Sequence, residues 1–199
     1  MKKLLRGGTV INASGRQAAD VLIDGEKIAA VAPGLSCADV EVIDVSGKLL
    51  FPGFIDAHTH FDLDVCNTTT ADDFCTGGRS ALRGGTTMII DFACPNKGET
   101  LQYGLDLWHK KADGRTACDY SFHMTIDDWN EEIIAELPKM FEQGISSFKM
   151  YLTYPAMMIG DENIFRALQE LKKLGGIAGV HCENAGVIDA LIAEKKAAG

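Results

Sequence analysis

Two histidines stand two residues apart in Asp56-Ala57-His58-Thr59-His60. On an extended strand alternate side chains share a face, so Asp56, His58 and His60 point one way and Ala57 and Thr59 the other. Parallel imidazoles at that spacing can grip one metal ion, and neutral imidazole nitrogen suits Zn2+ and its divalent neighbours. Taken alone, His-x-His is more often a chance pair on a solvated strand. Here the apolar run Leu49-Leu50-Phe51 and a Pro52-Gly53 corner lead into it, and an aspartate is in phase with both rings. That context favours ligation.

Lys149 is a second chemical oddity, set in the apolar strand Phe148-Lys149-Met150-Tyr151. Inside a barrel, a bare ammonium near metal-binding histidines would be repelled by the cation. Three resolutions are open: its stem carries it to water, a carboxylate pairs with it, or CO2 converts it to a carbamate, an anion able to bridge two metals. His181 closes a later strand in His181-Cys182-Glu183-Asn184. A lone histidine there is usually a core residue bonded to a backbone carbonyl. With His58, His60 and Lys149 on the same rim, ligation is the better reading. His123, inside another strand, reads as core, with a supporting place beside the ligands as the alternative. His109 reads as exposed on a helix, and Cys182 as core.

These groups need strands to carry them. Residues 1–50 read as short strands around the turns Ala13-Ser14-Gly15-Arg16, Asp24-Gly25 and Ser46-Gly47, a small antiparallel β unit without chemistry of its own. From residue 51 to 199 the texture changes. Apolar strands are expected at Ile55–His60, 86–92, 120–126, 147–152 and 177–181, alternating with helices at 98–112, 130–143, 161–174 and 185–198. Pro138 is expected to kink or divide the second of these helices, and Asp161-Glu162-Asn163 to cap the third. Such alternation means parallel βα units, five of them, in an open doubly wound sheet or part of a (β/α)8 barrel. No GxGxxG or P-loop follows the first strand, which leaves nucleotide binding unsupported. Polar groups gathered at the C-terminal ends of strands are the barrel arrangement for an active site.

Composition narrows the partners. The 199 residues are 46% hydrophobic and 24% charged, ordinary for a globular core. A net charge of −9 argues against nucleic acid or an anionic membrane surface. No apolar stretch is long enough to span a bilayer, and the basic start lacks the apolar run of a signal peptide. The six cysteines lack CxxC spacing and read as reduced thiols of a cytoplasmic protein.

Gly53-x-Ile55-Asp56-x-His58-x-His60, Gly84-Gly85-Thr86-Thr87, Phe148-Lys149 and His181-x-Glu183-Asn184 together resemble the cyclic amidohydrolases of the amidohydrolase superfamily. Within it the chain is similar to the dihydropyrimidinase and D-hydantoinase group, also in Asp72-Asp73-Phe74, Asp91-Phe92 and Asn96-Lys97-Gly98. The resemblance implies a (β/α)8 TIM barrel, here about five βα units, preceded by part of a small β-sandwich. It implies two Zn2+ or other divalent ions, with His58 and His60 on the more buried one, His181 on the second, and Lys149, N6-carboxylated, bridging both. A hydroxide held between the metals would attack the ring amide carbonyl. Tyr154, five residues after Lys149, matches the family tyrosine that hydrogen-bonds the developing oxyanion. A loop aromatic covering the barrel mouth is its plainer reading. Val65, Cys66, Tyr151 and Met158 match positions that shape the pocket for the ring substituent.

The implied substrate is a small cyclic amide. Phe61-Asp62 follows His60 where dihydroorotases carry an arginine for a substrate carboxylate, so an uncharged dihydropyrimidine or hydantoin is expected, opened to an N-carbamoyl amino acid. An allantoinase-like enzyme and a non-catalytic dihydropyrimidinase-related assembly protein are the alternatives. The family is commonly tetrameric, which implies a homo-oligomer. The remaining ligands, a histidine from a sixth strand and an aspartate from an eighth, are expected beyond residue 199. The chain is therefore expected to be the N-terminal part of a longer enzyme, inactive alone.

Overall fold

A computed structural model describes residues 2–65 and 67–199. Contacts divide the chain after Phe54 into two units.

The first unit is built on β1 (Lys2–Asn12), β2 (Gly15–Asp24), β3 (Lys27–Ala32), β4 (Val40–Asp44) and β5 (Leu49–Leu50). Its hairpins follow the turn signals, with Ala13-Ser14 between β1 and β2 and Gly25-Glu26 between β2 and β3. The sheet is mixed, not antiparallel as expected. β2 runs antiparallel to β1, whereas β4 and β5 pair with β1 in parallel. The chain after β3 crosses to the far side of β1, and only a crossover permits a parallel neighbour. β1 is one strand broken in register between Leu5 and Gly8, where Gly7 takes φ 81°. Val10, Ala19 and Val21 form the small core.

The second unit starts on β6 (Phe54–Thr59), followed by a minor hairpin, β7 (Asp64–Val65) with β8 (Thr68–Thr69). Then come α1 (Phe74–Gly84), β9 (Thr86–Ala93), α2 (Leu101–Ala112), β10 (Asp119–Thr125), α3 (Glu131–Glu142), β11 (Ser147–Tyr151), α4 (Asp161–Leu174), β12 (Ile177–His181) and α5 (Ala185–Ala198). The large strands lie in the order β6-β9-β10-β11-β12, with parallel pairing from β9 to β12. This is an α/β fold around a parallel sheet.

Strand alternation sends one set of side chains toward the helices. Ile89, Phe122, Met124, Phe148 and Met150 are buried there against Leu101, Leu105 and Trp108 of α2, Leu137 and Met140 of α3, and Ala167 and Leu171 of α4. The opposite phase holds Phe92, His123 and Lys149, and the register sets Phe92 beside His123 and Tyr151 beside His181. Along α5 no residue is buried, and Val187, Leu191 and Ile192 are exposed. No helix among the described residues is long and apolar enough to cross a membrane.

Several local expectations need correction. α1 has no counterpart among the expected helices, although Asp73 caps it by accepting from Thr76 N and the Thr76 hydroxyl answers to the Asp73 backbone. α3 runs unbroken through Pro138, because Ile133, Leu137 and Met140 anchor one face while the proline stays exposed on the other. Asp161 begins α4 and does not cap it; the cap is Gly160, with no side-chain hydrogen bond. Cys182 is exposed, since β12 ends at His181. His109 is half-buried, bonded to Asp113 and edge-on to Phe122.

Candidate metal centre

β6 carries His58, and His60 follows its last residue. Their Nε2 atoms face each other at 3.3 Å. Two imidazole nitrogens bound to one tetrahedral zinc at ordinary bond lengths are separated by about 3.4 Å. The rings are nearly perpendicular, with centroids 5.1 Å apart. Each packs on Phe92 at 4.8 Å, and His60 lies almost flat on it, at 27°. Burial, reinforced by the charges of His58 and Lys149, holds the His60 pKa below its ordinary value. The ring is therefore neutral at neutral pH, the form that ligates. The pair fits a divalent metal of the zinc type.

Lys149 lies with Nζ 5.6 Å from the Phe92 ring centre and 5.4 Å from that of Tyr151. Among the described residues no carboxylate pairs with it. Tyr151, 6% exposed, stacks on His181 with ring centres 6.0 Å apart. His181 Nε2 in turn lies 3.0 Å from Glu183 Oε2 and 3.4 Å from the Tyr154 hydroxyl. Lys149 thus stands between two groups, His58 with His60 and His181 with Tyr154 and Glu183. Among the described residues no three His, Cys, Asp or Glu side chains gather as a metal cluster.

Tyr154 has φ 66°, a left-handed backbone rare for a bulky residue. Its carbonyl accepts from Met157 N at 2.8 Å and Met158 N at 2.9 Å, and Lys97 Nζ donates to the next carbonyl, that of Pro155, at 2.9 Å. Holding a tyrosine there costs about 1–3 kcal/mol.

The predicted pocket residues are dispersed. Val65 is exposed and lines a hollow of about 260 Å3 with Cys94, Asn96, Trp108, Lys111 and Asp127. Met158 lines another with Leu152, Glu183 and Asn184. Cys66 lies outside the described residues. A hollow of about 340 Å3 is lined by His58, Phe92, His123, Lys149 and Gly179. His123 is half-buried rather than core, with both ring nitrogens engaged: Nε2 donates to the Ala57 carbonyl at 2.9 Å, and Nδ1 is 2.5 Å from the Ser147 hydroxyl.

Residues 49–198 match the sequence model of the Amidohydrolase family, three quarters of the chain. The chain belongs to the amidohydrolase family. This amidohydrolase is 43% identical to a D-hydantoinase of Streptomyces coelicolor, over 100% of the chain and 44% of that protein. It is 38% identical to a dihydropyrimidinase of Rattus norvegicus, over 93% of the chain and 37% of the relative. Among solved structures, a dihydropyrimidinase from Brevibacillus agri superposes with a TM-score of 0.96 at 44% identity, covering 100% of the chain and 44% of the other. A dihydroorotase, 14% identical with a TM-score of 0.63, shares the fold. The chain spans less than half the length of these curated relatives.

Residues outside the expected ligand set lie beside the candidate ligands. Asp91, Thr59 and Trp108 form one hydrogen-bonded group behind His60. Glu183 orients His181. An acid inside the apolar run Met88-Ile89-Ile90-Asp91-Phe92 was the available signal, since a buried carboxylate needs donors.

Proposed function

We propose that this chain supplies part of the active site of a cyclic amidohydrolase that opens a dihydropyrimidine or hydantoin ring at an amide bond, giving an N-carbamoyl amino acid. The observation that carries the reading is the 3.3 Å approach of His58 and His60 Nε2, with Lys149 lining the same hollow as His58 and paired with no carboxylate among the described residues. The names of the relatives, D-hydantoinase and dihydropyrimidinase, support the substrate class. We take the parallel sheet as an arc of a (β/α)8 barrel and the first unit as part of a β-sandwich.

In this reading His58 and His60 would hold one divalent cation and His181 a second. Lys149, once its ammonium had lost a proton, would take up CO2 as the neutral amine with release of one more proton, and the carbamate would supply an anionic ligand to the cations. When bound, the cations supply Lewis acidity and a strong nucleophile from water at neutral pH. The chain's own residues do the rest. Phe92 fixes both rings by contact. Tyr154 presents a hydroxyl beside His181, placed to donate to the oxygen on which charge develops as the carbonyl is attacked. Phe61 turns its ring onto Phe74 and away from the ligands. Two cations lie near Asp62 and both are engaged: Arg115 is tied to Asp73 at 2.7 Å, and Lys111 donates to the Asp62 carbonyl at 2.5 Å. Neither offers a charge to a substrate carboxylate, which favours an uncharged ring over dihydroorotate.

The test is metal content and turnover together. The active enzyme should carry about two zinc per chain and hydrolyse dihydrouracil or hydantoin. Metal-free protein without turnover would instead support an assembly protein on the same fold, and preference for allantoin an allantoinase-like enzyme.

A further inference from the structure

Asp91 is 1% exposed and faces the helices, in the phase opposite Phe92. Its carboxylate is fully engaged. Oδ2 accepts from the Thr59 hydroxyl at 2.8 Å and from Phe61 N at 2.9 Å. Oδ1 accepts from Phe92 N at 2.8 Å and from the Trp108 indole at 3.1 Å. Burial raises the Asp91 pKa while these four donors oppose the rise by favouring the anion.

Three of the four donors adjoin one residue. Thr59 and Phe61 flank His60 in the chain, and Phe92 is the ring on which His60 lies. The second nitrogen of His60 is not held: among the described residues its buried Nδ1 has no hydrogen-bond partner. A metal-binding imidazole is ordinarily fixed by a bond from its second nitrogen to a carboxylate or carbonyl. Here that bond is missing, and a carboxylate grips the chain on both sides of the histidine instead.

We propose that Asp91 is the positioning residue of the His58–His60 pair, clamping the chain at Thr59 and Phe61 so that the His60 ring points its Nε2 at that of His58. The inference rests on the metal reading above. The two carboxylate oxygens divide the work, Oδ2 holding the ligand segment and Oδ1 tying the strand to α2.

The full chain, Zn2+ as the probe, three substitutions and His58→Ala as the reference without zinc uptake test it. Thr59→Val removes the hydroxyl donor and keeps the shape; Thr59→Ser keeps the donor. Trp108→Phe removes a donor from Oδ1, away from His60. Zinc affinity measured by calorimetry should fall about 10- to 100-fold in Thr59→Val and stay within about twofold of the parent in Thr59→Ser and Trp108→Phe, although Trp108→Phe lowers the melting temperature. Imidazole 1H–15N spectra of the metal-free chain should show the His60 signals shifted in Thr59→Val and those of His123 unmoved. Zinc uptake that Thr59→Val leaves unchanged, or affinity that falls in all three variants in step with stability, overturns the positioning role alone. A parent chain that takes up no zinc, matching His58→Ala, overturns the metal reading and this inference with it.

Discussion

The Tyr154 hydroxyl stands 3.4 Å from His181 Nε2. The contact is made by a loop whose backbone is strained at Tyr154 itself, with φ 66°, and pinned by Met157 N, Met158 N and Lys97. Strain kept at one residue by surrounding bonds is common where a side chain must be aimed. Tyr154→Phe keeps the ring and removes only the donor. In the active enzyme it should lower kcat by about 100- to 1000-fold, the usual loss for one oxyanion donor, with KM little changed and zinc content intact. Steady-state kinetics with metal analysis checks this. A large rise in KM at constant kcat would make Tyr154 a wall of the pocket.

Among the described residues no carboxylate pairs with Lys149, and its ammonium lies near the rings of Phe92 and Tyr151. Lys149→Ala removes the atom on which a carbamate would form. Turnover should fall by more than about 100-fold, the upper range for groups that merely support a ligand. Added short-chain carboxylic acids should restore part of it by supplying a replacement anion. Turnover that survives the substitution would take Lys149 out of the mechanism.

The legible part of the sequence was periodic or chemically rare. His58-x-His60 could be read because a strand has period two. α2 could be read because Leu101, Leu105, Trp108 and Ala112 fall on one helical face, and all are buried. The parallel pairing of β4 and β5 with β1 was not legible. Parallel and antiparallel neighbours carry the same short alternation, and the choice lies in the path of residues 33–39. Pro138 misled because a local propensity was outweighed by the buried face of α3. Asp91 stood out only as part of a motif. Its use depends on Thr59 and Trp108, 32 and 17 residues away, and hydrogen bonding across such separations leaves no local pattern.

Asp127 is 5% exposed, and among the described residues its Oδ1 has no hydrogen-bond partner. Burial pushes its pKa up to about 7, opposed by Thr125 and Lys97. The folded chain therefore binds a proton that the unfolded chain releases near pH 4. Between about pH 4 and 7 this group favours the unfolded state increasingly as pH rises, and above 7 the full cost remains. Asp127→Asn keeps the shape without the charge. It should raise stability at pH 8 by on the order of 1–4 kcal/mol and have little effect at pH 4. Thermal melts of parent and variant across that range check the sign. A variant equally destabilised at every pH would mean that the carboxylate has a partner in solution.

Gly77 lies on α1 where a Cβ would meet the Phe61 ring at 2.4 Å. That ring is held edge-on to Phe74, and its own backbone N–H is one of the donors to Asp91. Gly77→Ala must therefore displace either the helix or the residue next to His60. Overpacking of this kind costs about 1–3 kcal/mol, against which the better helix propensity of alanine returns about 1 kcal/mol at most. Gly84, on the same helix, has open space around its Cβ position. Gly84→Ala collects the propensity gain without the clash. The two variants should move the melting temperature in opposite directions, Gly77→Ala downward and Gly84→Ala slightly upward. Zinc affinity should fall only in Gly77→Ala, because only there does the strain reach His60 through Phe61. A Gly77→Ala chain that melts lower yet binds zinc like the parent would show that the helix, not Phe61, gives way.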